Sequence, residues 1–143
     1  MVISSKGRYA LRVMVDLAEH GGDGYVSMRD VARRQEISDK YAGQIMTLLS
    51  RAGLVDGVTG KGGGYRLTRE PDQYTVGEIL TLTEGSLAPV SCLVQGAAPC
   101  RRMSSCRTYN MWKGLDDLIE DYFGKITLAD LALPDQAGND YVI

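Results

Sequence analysis

All three cysteines of this 143-residue chain fall in one stretch, "SCLVQGAAPCRRMSSCRTYNMW", residues 91–112. Cys92, Cys100 and Cys106 are spaced C-x7-C-x5-C. Thiolates are soft, anionic donors that suit iron and iron–sulfur centres. In a reducing compartment, clustered thiols point to metal or redox work rather than to disulfides. Structural zinc fits poorly, because it takes four nitrogen or sulfur ligands, usually with a close C-x2–4-C pair, and that pair is missing. A thiol redox switch stays open. Arg101, Arg102 and Arg107 flank Cys100 and Cys106, and nearby positive charge favours the thiolate. Ordinary cysteines are the remaining reading, weakened because such residues scatter along a chain whereas these share one loop. No paired carboxylates in a cleft pattern, nucleophile–base motif or cofactor loop accompanies them, so no enzyme is expected.

The rest of the chain must position that loop. A hydrophobic share of 44% and a charged share of 24% are those of an ordinary globular protein, and the length fits one compact domain or a small domain with an appended helix. No apolar run approaches the roughly 20 residues that span a bilayer. The start, "MVISSKGRYAL", lacks the layout of a signal peptide, and a cytoplasmic protein is expected. The net charge of −2 conceals an asymmetry: residues 1–70 carry +3 and residues 71–143 carry −5. One half can therefore face a polyanion while the other does something else.

From Ser5 to about His20 the apolar spacing predicts a helix with Leu11, Met14, Val15 and Ala18 on its inner face, broken by "GGDG". Ser27 with Asp30 resembles a capping box for a short second helix burying Met28, Val31 and Ala32. After the turn "EIS", Ser38 N-caps a third helix whose core face is Ala42, Ile45, Leu49 and Ala52. Its outer face carries Lys40, Gly43, Gln44, Thr47 and Arg51, and Gly53 suits a left-handed helix end. This is helix-turn-helix layout, although a plain pair of core helices reads the same way. "LVDGVTGKGGGYRLTREP" then gives two short strands around a glycine-rich tip bearing Lys61, as in the wing of a winged helix. A nucleotide phosphate loop is excluded, since no helix with a Lys-Ser/Thr pair follows the glycines; a simple flexible hairpin is the alternative. Thr75 and Glu78 form a capping box for a helix ending near Gly85. Beyond the cysteines, Trp112, Leu115, Ile119, Tyr122 and Ile126 make a heptad-like seam widened by Met111 and Leu118. Such a helix suits a symmetric dimer, packing on its own domain being the alternative.

These pieces resemble a known family. "SSKGRYALRVMVDLA", "GLVDGVTGKGGGYRL", "TVGEIL" and "ITLADL" are similar to the IscR-type winged-helix regulators of the Rrf-two family, which also includes NsrR and CymR, over Met1 to about Leu133. The resemblance implies a homodimeric bacterial transcription regulator, repressor or dual, that binds pseudo-palindromic double-stranded DNA operators. It implies that Cys92, Cys100 and Cys106 ligate an iron–sulfur cluster, of [2Fe–2S] type. The histidine that completes the ligand set in familiar IscR proteins is replaced by Tyr109, and the aspartate that NsrR-like members recruit from the partner chain aligns with Arg8. The fourth donor stays open among Tyr109, a carboxylate, His20, a water or an outside thiol. A CymR-like cysteine-metabolism or thiol-switch regulator without a cluster is the alternative.

The expected fold is mainly α with a small β-hairpin wing, a winged helix-turn-helix plus a long dimerisation helix. Residues 1–85 would bind DNA, 86–107 form the cysteine loop, 108–133 hold the dimerisation helix and a short C-terminal helix, and 134–143 form a flexible tail. Under the resemblance Ser38, Lys40, Tyr41 and Gln44 enter the major groove, where Gln44 can pair with adenine and Lys40 with guanine or phosphate. Lys61, Gly62, Gly63 and Gly64, with Tyr65 and Arg66 behind them, serve the wing in the minor groove. Ser5, Lys6 and Tyr9 hold phosphates, positioning the protein without reading bases.

Overall fold

The computed structural model describes residues 2–22 and 24–132. Its elements are α1 (Ser5–His20), α2 (Met28–Gln35), α3 (Asp39–Arg51), β1 (Val55–Val58), β2 (Gly64–Leu67), α4 (Val76–Glu84), α5 (Tyr109–Gly124) and α6 (Leu128–Leu131). The expected tail at 134–143 lies outside the described residues. The expected class holds: a mainly helical unit with one antiparallel hairpin, in the register Val55↔Leu67 to Val58↔Gly64. Val26 adds a third strand-like edge by exchanging two 2.8 Å backbone bonds with Tyr65.

Helix boundaries follow side chains able to satisfy free amides. Ser27, Ser38 and Thr75 cap α2, α3 and α4, each accepting from the amide three residues on. The start of α3 is set from behind by Glu36, which ends α2 with φ 56°. At the far end of α3, Leu54 and Gly53 donate to the carbonyls of Leu49 and Ser50, and Gly53 has φ 77°. That is a Schellman ending, for which glycine is the residue without steric cost.

α1 is the central helix, packed against α2, α3, α4, α6 and β2. This surround shifts its inner face. Ala10, Val13, Met14 and Leu17 are fully buried, whereas Leu11, Val15 and Ala18 are only partly so. In α3 the buried set is Ala42, Ile45, Met46 and Leu49, and Ala52 is exposed because the helix has already ended there. Thr75 caps α4 as expected, but Glu78 does not close the box. Its carboxylate is held by Arg69 at 2.9 Å to both oxygens. The reciprocal box occurs instead at α6, where Thr127 and Asp130 cap each other. A backbone bridge ties that entry to α4: Val76 donates to Ile126 and Leu128 to Tyr74.

The long seam divides. α5 stops at Gly124, so Ile126 lies beyond it. Trp112, Ile119 and Phe123 are half-buried, while Met111, Leu115, Leu118 and Tyr122 stay exposed along one face. α5 thus packs on α4 with one side and leaves an apolar stripe on another.

Candidate nucleic-acid interface and cysteine loop

α3 presents the expected polar side: Lys40, Gln44, Thr47 and Arg51 are all exposed. Ser38 spends its hydroxyl on the Tyr41 amide at 3.0 Å, which fixes the first turn. Tyr41 is half-buried and meets Tyr9 edge-on, ring centres 5.7 Å apart, with the Arg12 guanidinium 4.7 Å over the Tyr9 ring. These two tyrosines therefore lock α1 to α3. Lys6 and Gln44, 38 positions apart, line one small hollow with Tyr41. Ser5 opens α1 on the same exposed end. Gly43 sits beside Met28, where an added Cβ would find ordinary contact at 3.5 Å, so packing does not demand glycine there.

At the wing, Lys61 is exposed between Gly60 and Gly62, both with positive φ. Gly63 and Gly64 have steric reasons of their own: a Cβ on either would lie 2.2 Å from a backbone oxygen, of Val58 and Val26 respectively. Tyr65 forms the bridge to Val26. Arg66 stacks 4.7 Å over Tyr25 and lies 3.7 Å from Asp56, so its guanidinium already has partners within the fold.

Sequence patterns gave no sign of the contacts that brace this surface. Asp16, with a fully buried side chain, accepts from Arg34 Nε at 2.9 Å, Arg34 Nη2 at 2.7 Å and Gln35 Nε2 at 2.8 Å. α1 and α2 are thereby fixed at the joint that aims α3. Tyr74, fully buried, places its hydroxyl under the wing, donating to the Leu54 carbonyl at 2.7 Å and accepting from the Thr68 and Arg69 amides. Ser4, the cap of α1, donates from its amide and its hydroxyl to Glu84 at 2.7 and 2.6 Å. The Ser4 hydroxyl first, then its amide, holds the Glu84 carboxyl below the ordinary carboxylate value of 4.5. Ser4 could have been found as a cap signal. The contacts Asp16–Arg34, Ser4–Glu84 and Tyr74–Leu54 span 18, 80 and 20 positions, too remote in sequence to be read.

The cysteine loop contains two single-turn 3-10 segments, Ser91–Leu93 and Met103–Ser105, and no buried residue between positions 86 and 107. Cys92 lies in the first turn, Cys100 is exposed, and Cys106 follows the second turn, with Arg107 and Thr108 between it and α5. Cys106 Sγ is 3.4 Å from Thr108 Oγ1. The Thr108 hydroxyl, then the amides of Thr108 and Tyr109 and the charge of Arg102, pull this thiol below its ordinary value. The donor set is right for a thiophilic centre in type and number of sulfurs. Its arrangement is not: among the described residues no three His, Cys, Asp or Glu side chains gather as a metal site. Tyr109 opens α5 and Arg8 pairs loosely with Ser5 at 3.3 Å, so neither position of the family's completing ligand supplies a usual donor.

Comparison with known proteins gives this geometry its context. The Rrf2 family, described as an iron-dependent transcriptional regulator, matches residues 3–134. The chain belongs to the Rrf2 family. Within Rrf2, it is 39% identical to the HTH-type transcriptional regulator IscR of Erwinia tasmaniensis over 131 residues, 92% of this chain and 78% of that one. Against IscR of Aliivibrio salmonicida the identity is 36%, covering 95% of this chain and 80% of that protein. Among solved structures it is similar to CymR, the global cysteine regulator of B. subtilis, with a TM-score of 0.75 and 35% identity over 92% of this chain and 96% of that one. T. potens IscR superposes with a TM-score of 0.73 and 34% identity, covering 100% and 93%. The protein is therefore a winged-helix transcriptional regulator of IscR/CymR type and not an enzyme. Among the described residues no helix is long and apolar enough to cross a membrane.

Proposed function

We propose that this Rrf2 protein is a homodimeric regulator of operator DNA that senses iron–sulfur or redox status through its three-cysteine loop. The observation that carries the DNA reading is that the start of α1 with Lys6 and the exposed polar face of α3 with Gln44 line one hollow, with Lys61 exposed at the wing tip. Lys40 and Gln44 reach bases or phosphates in the major groove, and Lys61 reaches the minor groove. Ser5 and Lys6 hold phosphates. Ser38, Tyr9, Tyr41, Tyr65, Arg66 and the wing glycines Gly62, Gly63 and Gly64 shape that surface, their contacts within the fold placing the readers. Dimerisation through α5 is supported by the unpartnered stripe of Met111, Leu115, Leu118 and Tyr122, and Trp112 and Ile119 flank it. A partner would remove this stripe from water.

For the sensor, Cys92, Cys100 and Cys106 would hold the cluster, of [2Fe–2S] type as in the IscR resemblance, and it would supply a redox- and iron-sensitive centre. Support comes from the thiolate-favouring surroundings of Cys106 and from the loop's place at the foot of α5. A change of state in the loop would favour one of two dimer arrangements, and so one spacing of the two α3 helices, by the difference in its free energy in each. A second reading, a CymR-like cysteine-metabolism or thiol-switch regulator, is favoured by the three thiols not gathering as a metal site among the described residues and by the similarity to the B. subtilis CymR structure.

Oxygen-free purification with visible absorption and iron and sulfide counts separates the two. Sulfide-containing colour that disappears in Cys100→Ser supports the cluster; a colourless dimer that refuses reconstitution supports the thiols. On DNA, Lys61→Ala should weaken binding to all sequences and flatten the salt dependence, whereas Gln44→Ala should relax preference at one base position. Equal loss on specific and random DNA for Gln44→Ala removes its reading role.

A further inference from the structure

The turn between α2 and α3 contains the one non-glycine residue with positive φ among the described residues, Glu36 at 56°. A residue with a side chain adopts that region at a cost, so the turn keeps its angle only where its surroundings impose it. The clamp comes from α1. Arg12 Nε donates to Gln35 Oε1 at 3.0 Å and Arg12 Nη2 to the Gln35 carbonyl, so one guanidinium takes both oxygens of the last residue of α2. The other end of the Gln35 amide points to α1, where Nε2 donates to the buried Asp16 carboxylate at 2.8 Å. Only this orientation works: reversed, the amide nitrogen would face the guanidinium and the oxygen the carboxylate.

Arg12 also reaches the far side of the turn. Its guanidinium lies over the Tyr9 ring, and that ring meets Tyr41, in the first turn of α3, edge-on. One side chain therefore bonds the residue that precedes the turn and, through Tyr9, braces a residue that follows it. Arg12 is nevertheless exposed, so it is no part of the apolar core. A fork that grips two acceptors of one residue while its face lies on a ring is what a guanidinium offers and a lysine ammonium does not.

We propose that Arg12 is a positioning residue for sequence discrimination: it sets the angle of the α2–α3 turn, and with it the aim of Lys40 and Gln44, without itself contacting DNA. This rests on the DNA reading above and is independent of what the thiols hold. Loss of the fork frees Gln35 and the strained Glu36, and α3 shifts relative to α1. Base contacts, which need alignment, then weaken more than phosphate contacts, which carry no sequence information.

The test uses the full chain, a duplex enriched by the wild-type protein from a random-sequence pool, and a shuffled duplex of the same composition. Arg12→Met should cut the affinity ratio between the two duplexes about tenfold, the scale of one lost base contact. Its melting temperature should stay within about 3 °C of wild type, and its salt dependence should be unchanged. The Tyr9 and Tyr41 ring resonances should shift in the DNA-free variant. Arg12→Lys, which keeps the charge, should discriminate as poorly and serves if Arg12→Met fails to fold. Gln35→Met should lose discrimination too, and the double variant no more than the worse single one. Restoration by Arg12→Lys, or equal loss on both duplexes with a shallower salt dependence, makes Arg12 a phosphate contact and overturns the proposal. A lower melting temperature with the ratio kept makes it a structural residue only, which also overturns it. A wild-type chain that enriches no sequence fails the DNA reading itself, and the proposal falls with it.

Discussion

Removal of one oxygen beneath the wing tests how the DNA-facing hairpin is held. In Tyr74→Phe the ring still fills the core, since Tyr74 is fully buried, and only the hydroxyl disappears. Three backbone groups lose it at once: the Leu54 carbonyl at 2.7 Å, the Thr68 amide at 2.9 Å and the Arg69 amide at 3.1 Å. The Thr68 hydroxyl cannot take over fully, because it already bonds the Gly53 carbonyl at 2.8 Å and lies 3.3 Å from that of Leu54. A buried group left without its partner costs about 1–3 kcal/mol. Thr68 and Arg69 are exposed residues whose amides water can partly serve, which places each loss at the low end. The total is about 2–3 kcal/mol, or a fall in melting temperature of about 6–12 °C for a chain of this size. Urea unfolding of wild type, Tyr74→Phe, Thr68→Val and the double variant measures it, and the two single losses should fall short of additivity because the sites share partners. A loss under about 0.5 kcal/mol would refute the assignment of the wing's anchorage to this hydroxyl. The same variant should weaken DNA binding with little effect on base preference, since α3 is untouched.

Three further perturbations address other joints. Asp16→Asn breaks a buried, bidentate pair; with Arg34 still 28% exposed in its side chain, the usual cost is discounted to about 2–4 kcal/mol, read by urea unfolding against Arg34→Met and the double variant. Gly64→Ala drives a Cβ to 2.2 Å from the Val26 oxygen. It should cost about 2–4 kcal/mol through the lost Val26–Tyr65 bridge, seen as faster exchange of the Val26 and Tyr65 amides. For Glu84, the folded carboxyl titrates lower than the unfolded one, so its contribution is complete above about pH 4.5 and disappears as pH falls through the lowered value. Melting temperatures followed from pH 6 to pH 3 should therefore drop more steeply for wild type than for Glu84→Gln, and parallel curves would remove Ser4–Glu84 as a clamp.

The helix-turn-helix and its wing were legible because their signals are local. Ser27, Ser38 and Thr75 cap where the sequence places them, and Gly53 ends α3 with the positive φ its position implies. Local signals fail where two partners compete. Thr75–Glu78 and Thr127–Asp130 look alike in sequence, yet only the second box closes, because Arg69 arrives from the wing to take Glu78. The inner face of α1 was misjudged for a related reason: five elements surround it, so a single apolar stripe does not describe its burial.

The sequence by itself determined the helical periods, the caps, the hairpin glycines and the confinement of three thiols to one loop. All of these depend on residues within a turn or two of one another. Tertiary structure alone decided that Asp16 receives Arg34 from 18 positions away and that Ser4 meets Glu84 from 80 positions away. It also decided that, among the described residues, the three thiols do not gather as a metal site although the sequence puts them in one loop. The physical reason is that charge pairing and burial depend on distances through space, which a linear pattern constrains only when the chain between two groups is short.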